Sequence, residues 1–239
     1  MLVRSARSGA LATLRAVDPA ERFADLVQGP ASGLPLDEAS LLIAAVDHPV
    51  EVAVRLRALD ELAADAAADD VAGLAHALFV ERGFAGNLGD YGDPRNSYLD
   101  EVIERRLGIP ITLSVLMIEV GRRRGIPLVG VGMPGHFLVG SADGYVDPFN
   151  GGVVLDAAGA RRLFERAHPG VPFADRYLDP VGPCAVLSRM LANLVATFLS
   201  RDPMRAIGAL RLRLEIPDLP EPERRQGEET LLRLRARLN

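Results

Sequence analysis

Lysine is absent from this 239-residue chain: all 27 of its basic residues are arginine. Without lysine there is no Schiff base to hold pyridoxal phosphate, no P-loop lysine and no lysine of a protein-kinase site. Cysteine is nearly absent too. The single Cys184 excludes an internal disulfide framework and a cysteine-based metal cluster. No apolar run approaches the roughly 20 residues that span a bilayer. Residues 1–25 contain only a brief apolar patch at 10–14, short of a secretory h-region. An excess of positive charge is missing as well: the net charge is −5 and the pI near 5.5, which argues against a surface built on phosphate contacts. The expectation is a cytoplasmic protein with neither nucleic acid nor membrane as partner.

What the chain does have is material for a core. Apolar residues make up 49% of it and charges are spread throughout, so a folded protein is expected: one large domain, or one domain with a small helical annex. The first 85 residues read as helices. Residues 36–46 form a short apolar segment closed by Pro49. In 51–68, Val52, Leu56, Leu59 and Leu62 recur at helical spacing. Asp69 or Asp70 is positioned to cap a helix over 71–82 that Gly83 ends. Residues 86–94 are a Gly/Asn/Asp-rich loop. A strongly signalled helix follows, with Asn96 or Ser97 as N-cap, Asp100 and Glu101 in its first turn, Arg105 and Arg106 in its last, and Gly108 beyond.

Pro110 then opens a second helix over 111–124, in the first-turn position that proline tolerates best. Its first two-thirds are apolar on nearly every side, which predicts burial. Arg122–Arg124 close it as a solvated, dipole-compatible end. After Gly125 the pattern changes to short Val/Phe/Tyr-containing segments, 128–133, 136–140 and 145–147, read as strands of a hairpin or meander. Helix returns over 155–167. A Pro/Gly-marked linker, 169–183, precedes three further helices at 186–199, 204–214 and 221–238.

One ordered set of motifs stands out: Asn96-Ser97-Tyr98-Leu99, Gly108-Ile109-Pro110-Ile111-Thr112-Leu113-Ser114, Gly125-Ile126-Pro127, Pro134-Gly135-His136-Phe137 and Asp147-Pro148. On these residues the chain resembles the SirB-type branch of the transglutaminase-like superfamily, closely over about residues 87–155. The run from Arg189 to Leu194 is similar to the tetratricopeptide-like tail of that family. The resemblance implies a papain-like layout, in which a cysteine at the N-terminus of a buried helix meets a His and an Asp from adjacent strands. Here it implies the helix 111–124, His136 and Asp147. Strand geometry bears on that pair independently. A four-residue loop at 140–143 places the two directly opposite, one at 141–144 makes them diagonal neighbours within reach, and a two-residue loop at 143–144 leaves them too far apart.

The nucleophile departs from the pattern. The first turn of the helix offers only the hydroxyls of Thr112 and Ser114, and Cys184 lies beyond the linker. Each residue also has a plainer role: a hydrogen-bonded buried His136, a turn-starting Asp147, a backbone-bonded Thr112, an inert packed Cys184. Tyr91, Asp93 and Asn96 either line the mouth of the site or, in the case of Asn96, cap a helix. His48, His76 and His168 have no ligand spacing, so neither a metal nor a cofactor is expected.

The expected fold class is therefore α+β: a helical N-terminal region (1–85), a papain/transglutaminase-like core with a small antiparallel sheet (86–168) and a helical, tetratricopeptide-like tail (184–239). The expected function is binding of a protein or peptide by a degenerate transglutaminase-like site. The alternative is an amide or ester hydrolase or acyltransferase using Thr112 or Ser114 with His136 and Asp147. With Cys184 in the annex, no thiol-dependent transamidation is expected. An amine-incorporation assay positive for the wild type and abolished by Cys184→Ser would reverse that.

Overall fold

The computed structural model describes residues 18–30 and 33–238; the apolar patch at 10–14 lies outside them. The chain runs through α1 (Pro19–Gln28), α2 (Leu36–Asp47), α3 (Val52–Asp65) and α4 (Val71–Ala75), which continues as a π-helical turn (His76–Glu81). The two-residue strands β1 (Ala85–Gly86) and β2 (Leu107–Gly108) pair in parallel around a 3-10 turn (Pro94–Ser97) and α5 (Leu99–Arg105). Next come α6 (Pro110–Arg124), β3 (Val129–Val131), β4 (Leu138–Ser141), β5 (Gly144–Asp147), β6 (Val153–Leu155) and α7 (Ala157–Ala167). A 3-10 turn (Asp175–Leu178) and β7 (Pro180–Val181) lead to α8 (Pro183–Phe198), α9 (Pro203–Leu214) and α10 (Glu221–Leu238). Strands β3 to β7 form one antiparallel sheet in the order β6-β5-β4-β3-β7. The fold is α+β.

Helix α6 is the centre of the packing. Its residues from Pro110 to Met117 are all buried, and Val120 and Gly121 continue the burial toward its end. Helices α2, α3 and α5 cover one side, and β3, β4 and α8 another. At about 1.5–3 kcal/mol for each large aliphatic side chain taken out of water, this helix is the largest single contributor to the core. Two glycines set its neighbours' distance: a Cβ at Gly121 would fall 2.6 Å from Leu128 Cδ1, and one at Gly108 would fall 3.0 Å from Leu113 Cγ and Thr112 Oγ1. A single continuous apolar cluster takes Phe23 and Leu59 from the N-terminal helices, Leu116 from α6, Val139 and Val146 from the sheet, and Leu191, Leu210 and Leu234 from the last three helices. A smaller cluster (Val131, Leu138, Ala160, Phe164) packs α7 on the opposite face of the sheet.

Several local expectations are revised. Asn96 does not cap α5; it lies inside the 3-10 turn, and Tyr98 stands at the N-cap with no side-chain bond. The helix ends at Arg106 in the left-handed region (φ 59°), where glycine is the usual residue. Of the arginines at the end of α6, Arg122 stays exposed (59%), but Arg123 and Arg124 are packed against the N-terminal helices. Arg123 is 13% exposed and donates to Asp37 (2.6 Å), Asp60 (2.7 Å) and Glu119 (3.1 Å), while Arg124 bonds the Ala68 carbonyl. The sequence pattern marked the helix end correctly, but tertiary packing folded α2 and α3 over it. Four strands, β1, β2, β6 and β7, escaped the sequence reading, being segments of only two or three residues that carry no periodicity of their own.

A second charged clasp joins three helices. Arg205 at the start of α9 pairs with Asp47 at the end of α2. Next to it, His48 Nε2 lies 2.8 Å from Asp100 Oδ2 on α5 and Nδ1 lies 3.4 Å from Asp47 Oδ2. Tyr98 presses edge-on against the imidazole at 5.1 Å. Burial alone lowers the His48 pKa, but the bonds and charges of Asp100 and Asp47 outweigh it and raise the group above its ordinary value. A raised folded-state pKa gives stability that is fully present below the unfolded value near 6.5 and is lost as pH rises through the folded value. Thermal stability should therefore decline from about pH 6 into the alkaline range, and His48→Gln should flatten that decline. A melting-temperature series across pH for both proteins checks it; parallel curves would refute it.

Candidate functional site

His136 and Asp147 are brought together by the β4–β5 hairpin. Its register pairs Val139 with Val146, Gly140 with Tyr145 and Ser141 with Gly144, leaving Ala142–Asp143 as the loop. Gly144 takes φ 136°, and a Cβ there would meet the Leu155 carbonyl at 2.7 Å. Continuing the register puts Leu138 opposite Asp147 and His136 one diagonal step away, the register anticipated for a loop at 141–144. His136 itself lies just before β4 and not within a strand. Its Nε2 lies 2.9 Å from Asp147 Oδ1, with both side chains largely buried, 12% and 3% exposed.

Asp147 is further held by Asn150, whose Nδ2 donates to Oδ2 at 2.7 Å and whose backbone N–H donates to Oδ1 at 3.3 Å. Burial works to raise the carboxyl pKa, but the bond and charge of His136 and the two bonds of Asn150 hold it below the usual carboxylate value. The imidazole faces Phe149 edge-on at 6.2 Å, and Phe149 in turn meets Tyr91 at 5.7 Å. Phe149 also lies on Gly86, where a Cβ would fall 2.5 Å from its ring. Since β1 pairs with β2, which leads directly into α6, Phe149 links the His136 side of the sheet to the loops at the start of that helix.

The turn before His136 is clamped from two sides. Gly135 at φ 71° lets residues 133–136 close with the His136 N–H on the Met133 carbonyl (3.1 Å). Arg189 of α8 donates through Nη2 to the carbonyls of both Met133 (2.9 Å) and His136 (2.7 Å). On the other side the His168 ring nitrogen lies 3.0 Å from the Pro134 carbonyl.

The two hydroxyls are committed elsewhere. Thr112 is fully buried; its Oγ1 donates to the Asn96 carbonyl at 2.7 Å and accepts the Ile109 N–H at 3.2 Å. Ser114 is equally buried and donates to the Pro110 carbonyl at 2.8 Å. Neither is hydrogen-bonded to His136. Asn96, also fully buried, organises the loop ahead of α6 through Asn87 Nδ2 (3.0 Å) and the Asp90 carbonyl (2.8 Å). Cys184 sits in the first turn of α8, where burial and the nearby Asp218 push its thiol pKa up, the reverse of activation.

Among the described residues one group has metal-ligand proximity: His48, Asp100 and Glu101, whose ligand atoms lie within 4.8 Å of one another. Its imidazole is already spent on two carboxylates, which makes it the ion-pair clasp described above.

The profile of the Transglutaminase-like superfamily matches residues 45–192. The chain belongs to the transglutaminase-like superfamily. Among its relatives, the UPF0162 protein of Xylella fastidiosa (strain Temecula1) is 46% identical over 163 residues, covering 63% of this chain and 57% of the relative. A UPF0162 protein of Pseudomonas aeruginosa is 34% identical over 190 residues, covering 74% of this chain and 69% of the relative. F-box only protein 21 of Mus musculus is 32% identical over 133 residues, 51% of this chain but 20% of the relative. The chain thus spans only 57% of the length of the Xylella fastidiosa relative. No solved structure matches it.

The transglutaminase-like match begins near the end of α2 and runs into α8, so it encloses His136, Asp147, Thr112 and also Arg189. Sequence reading missed Phe149, Asn150, His168 and Arg189 as parts of the site. Asn150 was within reach of it, three residues from a candidate carboxylate. Arg189 in α8 and His168, just past the end of α7, lie 53 and 32 positions beyond His136, and no local pattern links them.

Asp147 anchors this arrangement, so Asp147→Ala should cost about 1–3 kcal/mol, the toll of stranding buried partners. Its depressed folded-state pKa gives stability that is present above the unfolded value near 4 and lost as pH falls through the folded value. Urea unfolding of wild type and variant should differ at pH 7 and converge as pH drops well below about 4. A gap that stays constant with pH would contradict an ionised Asp147.

Proposed function

We propose that this transglutaminase-like chain is a SirB-type binding module for a protein or peptide. In this reading a core at 86–168 lies between a helical N-terminal region and a tetratricopeptide-like tail, and its site has lost the cysteine nucleophile. The observation that carries the reading is the state of Thr112: a fully buried hydroxyl that spends its proton on the Asn96 carbonyl. A nucleophile must share its proton with the base that removes it. Ser114, bonded to its own helix, supports the same conclusion, and so does the deactivated thiol of Cys184.

The intact His136–Asp147 pair favours a second reading, hydrolysis or acyl transfer through Thr112 or Ser114, because an oriented imidazole is what such chemistry needs.

A fluorophosphonate probe separates the two. On the binding reading it leaves Thr112 and Ser114 unlabelled by mass spectrometry. Thr112→Val then acts on stability alone, by about 1–3 kcal/mol, because it takes the hydroxyl from the Asn96 carbonyl and the Ile109 N–H and leaves them only their long 3.4 Å bond to each other. Labelling of either hydroxyl that disappears in His136→Ala would establish the catalytic reading instead.

A further inference from the structure

We propose that the half-open cleft between α8 and the corner joining α9 to α10 receives the C-terminal carboxylate of an apolar-ended peptide on Arg189. The proposal rests on the binding reading above and names the chemistry of the partner. The cleft has a volume of about 530 Å³, within the range of about 300–1,000 Å³ typical of ligand sites. Ala185, Ser188, Arg189 and Ala192 recur at helical spacing and make one wall. Ile216, Leu219 and Pro220 face them, with Phe137 between.

Arg189 is the reason to expect an anion. Its guanidinium is largely buried, yet no carboxylate among the described residues pairs with it. Only Nη2 is occupied, by the two carbonyls of the His136 turn. The Nε and Nη1 hydrogens have no protein acceptor among the described residues, out of five donors in all. Gly132 leaves Nη1 uncovered, since a Cβ there would stand 3.3 Å from it. The other arginine of the cleft, Arg213, is by contrast already paired with Glu223 and bonded to Ser188. A buried cation without a counter-charge is expensive unless something anionic meets it, and a carboxylate fits the guanidinium fork bidentately. Burial lowers the Arg189 pKa, consistent with its desolvation.

The shape favours a chain end over a free acid. The cleft is half open, which lets a peptide leave it, and the first-turn N–H groups of Cys184 and Ala185 precede the first helical bond of α8, at Val186. The carboxylate of Asp218 lines the same space and repels a second acid, which favours a neutral or basic residue upstream.

The test uses the whole chain and three probes: acetyl-Ala-Arg-Leu-Leu as free acid, the same peptide as C-terminal amide, and octanoate. Calorimetry gives affinities and ¹H–¹⁵N spectra give location. The free acid should shift the Cys184 and Ala185 amides and the Arg189 Nε resonance, and the amide should bind about tenfold or more weakly. Arg189→Gln should lose as much. Because Arg189 also holds the His136 turn, Ala192→Phe is the second variant: it fills the cleft, leaves the guanidinium in place, and should show the same loss. Equal affinity for acid and amide, no peptide binding by folded wild type, or octanoate binding as tightly as the peptide each overturns the proposal. Shifts confined to His136 and Phe149 overturn the cleft but keep the binding reading. Probe labelling of Thr112 overturns that reading, while the acid-to-amide ratio still judges the cleft.

Discussion

Burial of α6 on all sides is the constraint on which the rest of the structure depends. A helix that shows apolar side chains around nearly its whole circumference cannot sit at a surface, so layers must be supplied on every face. The N-terminal helices α2 and α3, α5, the sheet and α8 are those layers. The requirement also dictates what the ends of the helix can do. Its start has no exposed turn, and the hydroxyls placed there are drawn into backbone bonds that seal it against the preceding loop. Its other end is closed by Asp37 and Asp60, which reach in to neutralise Arg122 and Arg123. Glu119, buried beside them, has its carboxyl pKa raised by desolvation and by the charge of Asp37 despite those arginines.

The lysine-free composition gains meaning against this architecture. Arginine is the residue that ties segments together here, and it does so through its planar fork of donors. Arg205 spans α9 and α2, Arg189 holds two carbonyls of one turn, and Arg224 collects the Leu214 and Ile216 carbonyls at the end of α9. An ammonium is a compact point charge that lacks this fixed geometry. The same property leaves Arg189 with donors to spare where it meets the cleft.

The His136–Asp147 pair is held in place by its structural surroundings. The pair is maintained by elements with their own structural reasons: the hairpin register, Asn150, the edge of Phe149 and the clamped turn. None of these needs a thiol at the start of α6. A site of this kind keeps an oriented imidazole beside a surface shaped by Phe149 and Tyr91, which suits recognition as well as chemistry.

The residues by themselves determined the helices with clear periodicity and punctuation: the last three helices, the proline-opened start of α6 and the Asp70 cap of α4 all follow from local rules that act within a few residues. They also narrowed His136 and Asp147 to a few registers, because strand alternation allows only certain loops to bring them together. The choice among those registers belonged to tertiary structure, since Gly144 must clear the Leu155 carbonyl of a strand too short to be seen in sequence. So did the fate of the hydroxyls. Thr112 faces Asn96 because the loop before α5 folds over the start of α6, a contact between segments 16 positions apart that no periodicity encodes. Arg189 reaches His136 across 53 positions for the same reason. Local sequence sets what each segment can form, whereas which buried polar groups meet is decided only when several segments compete to satisfy one another's hydrogen bonds.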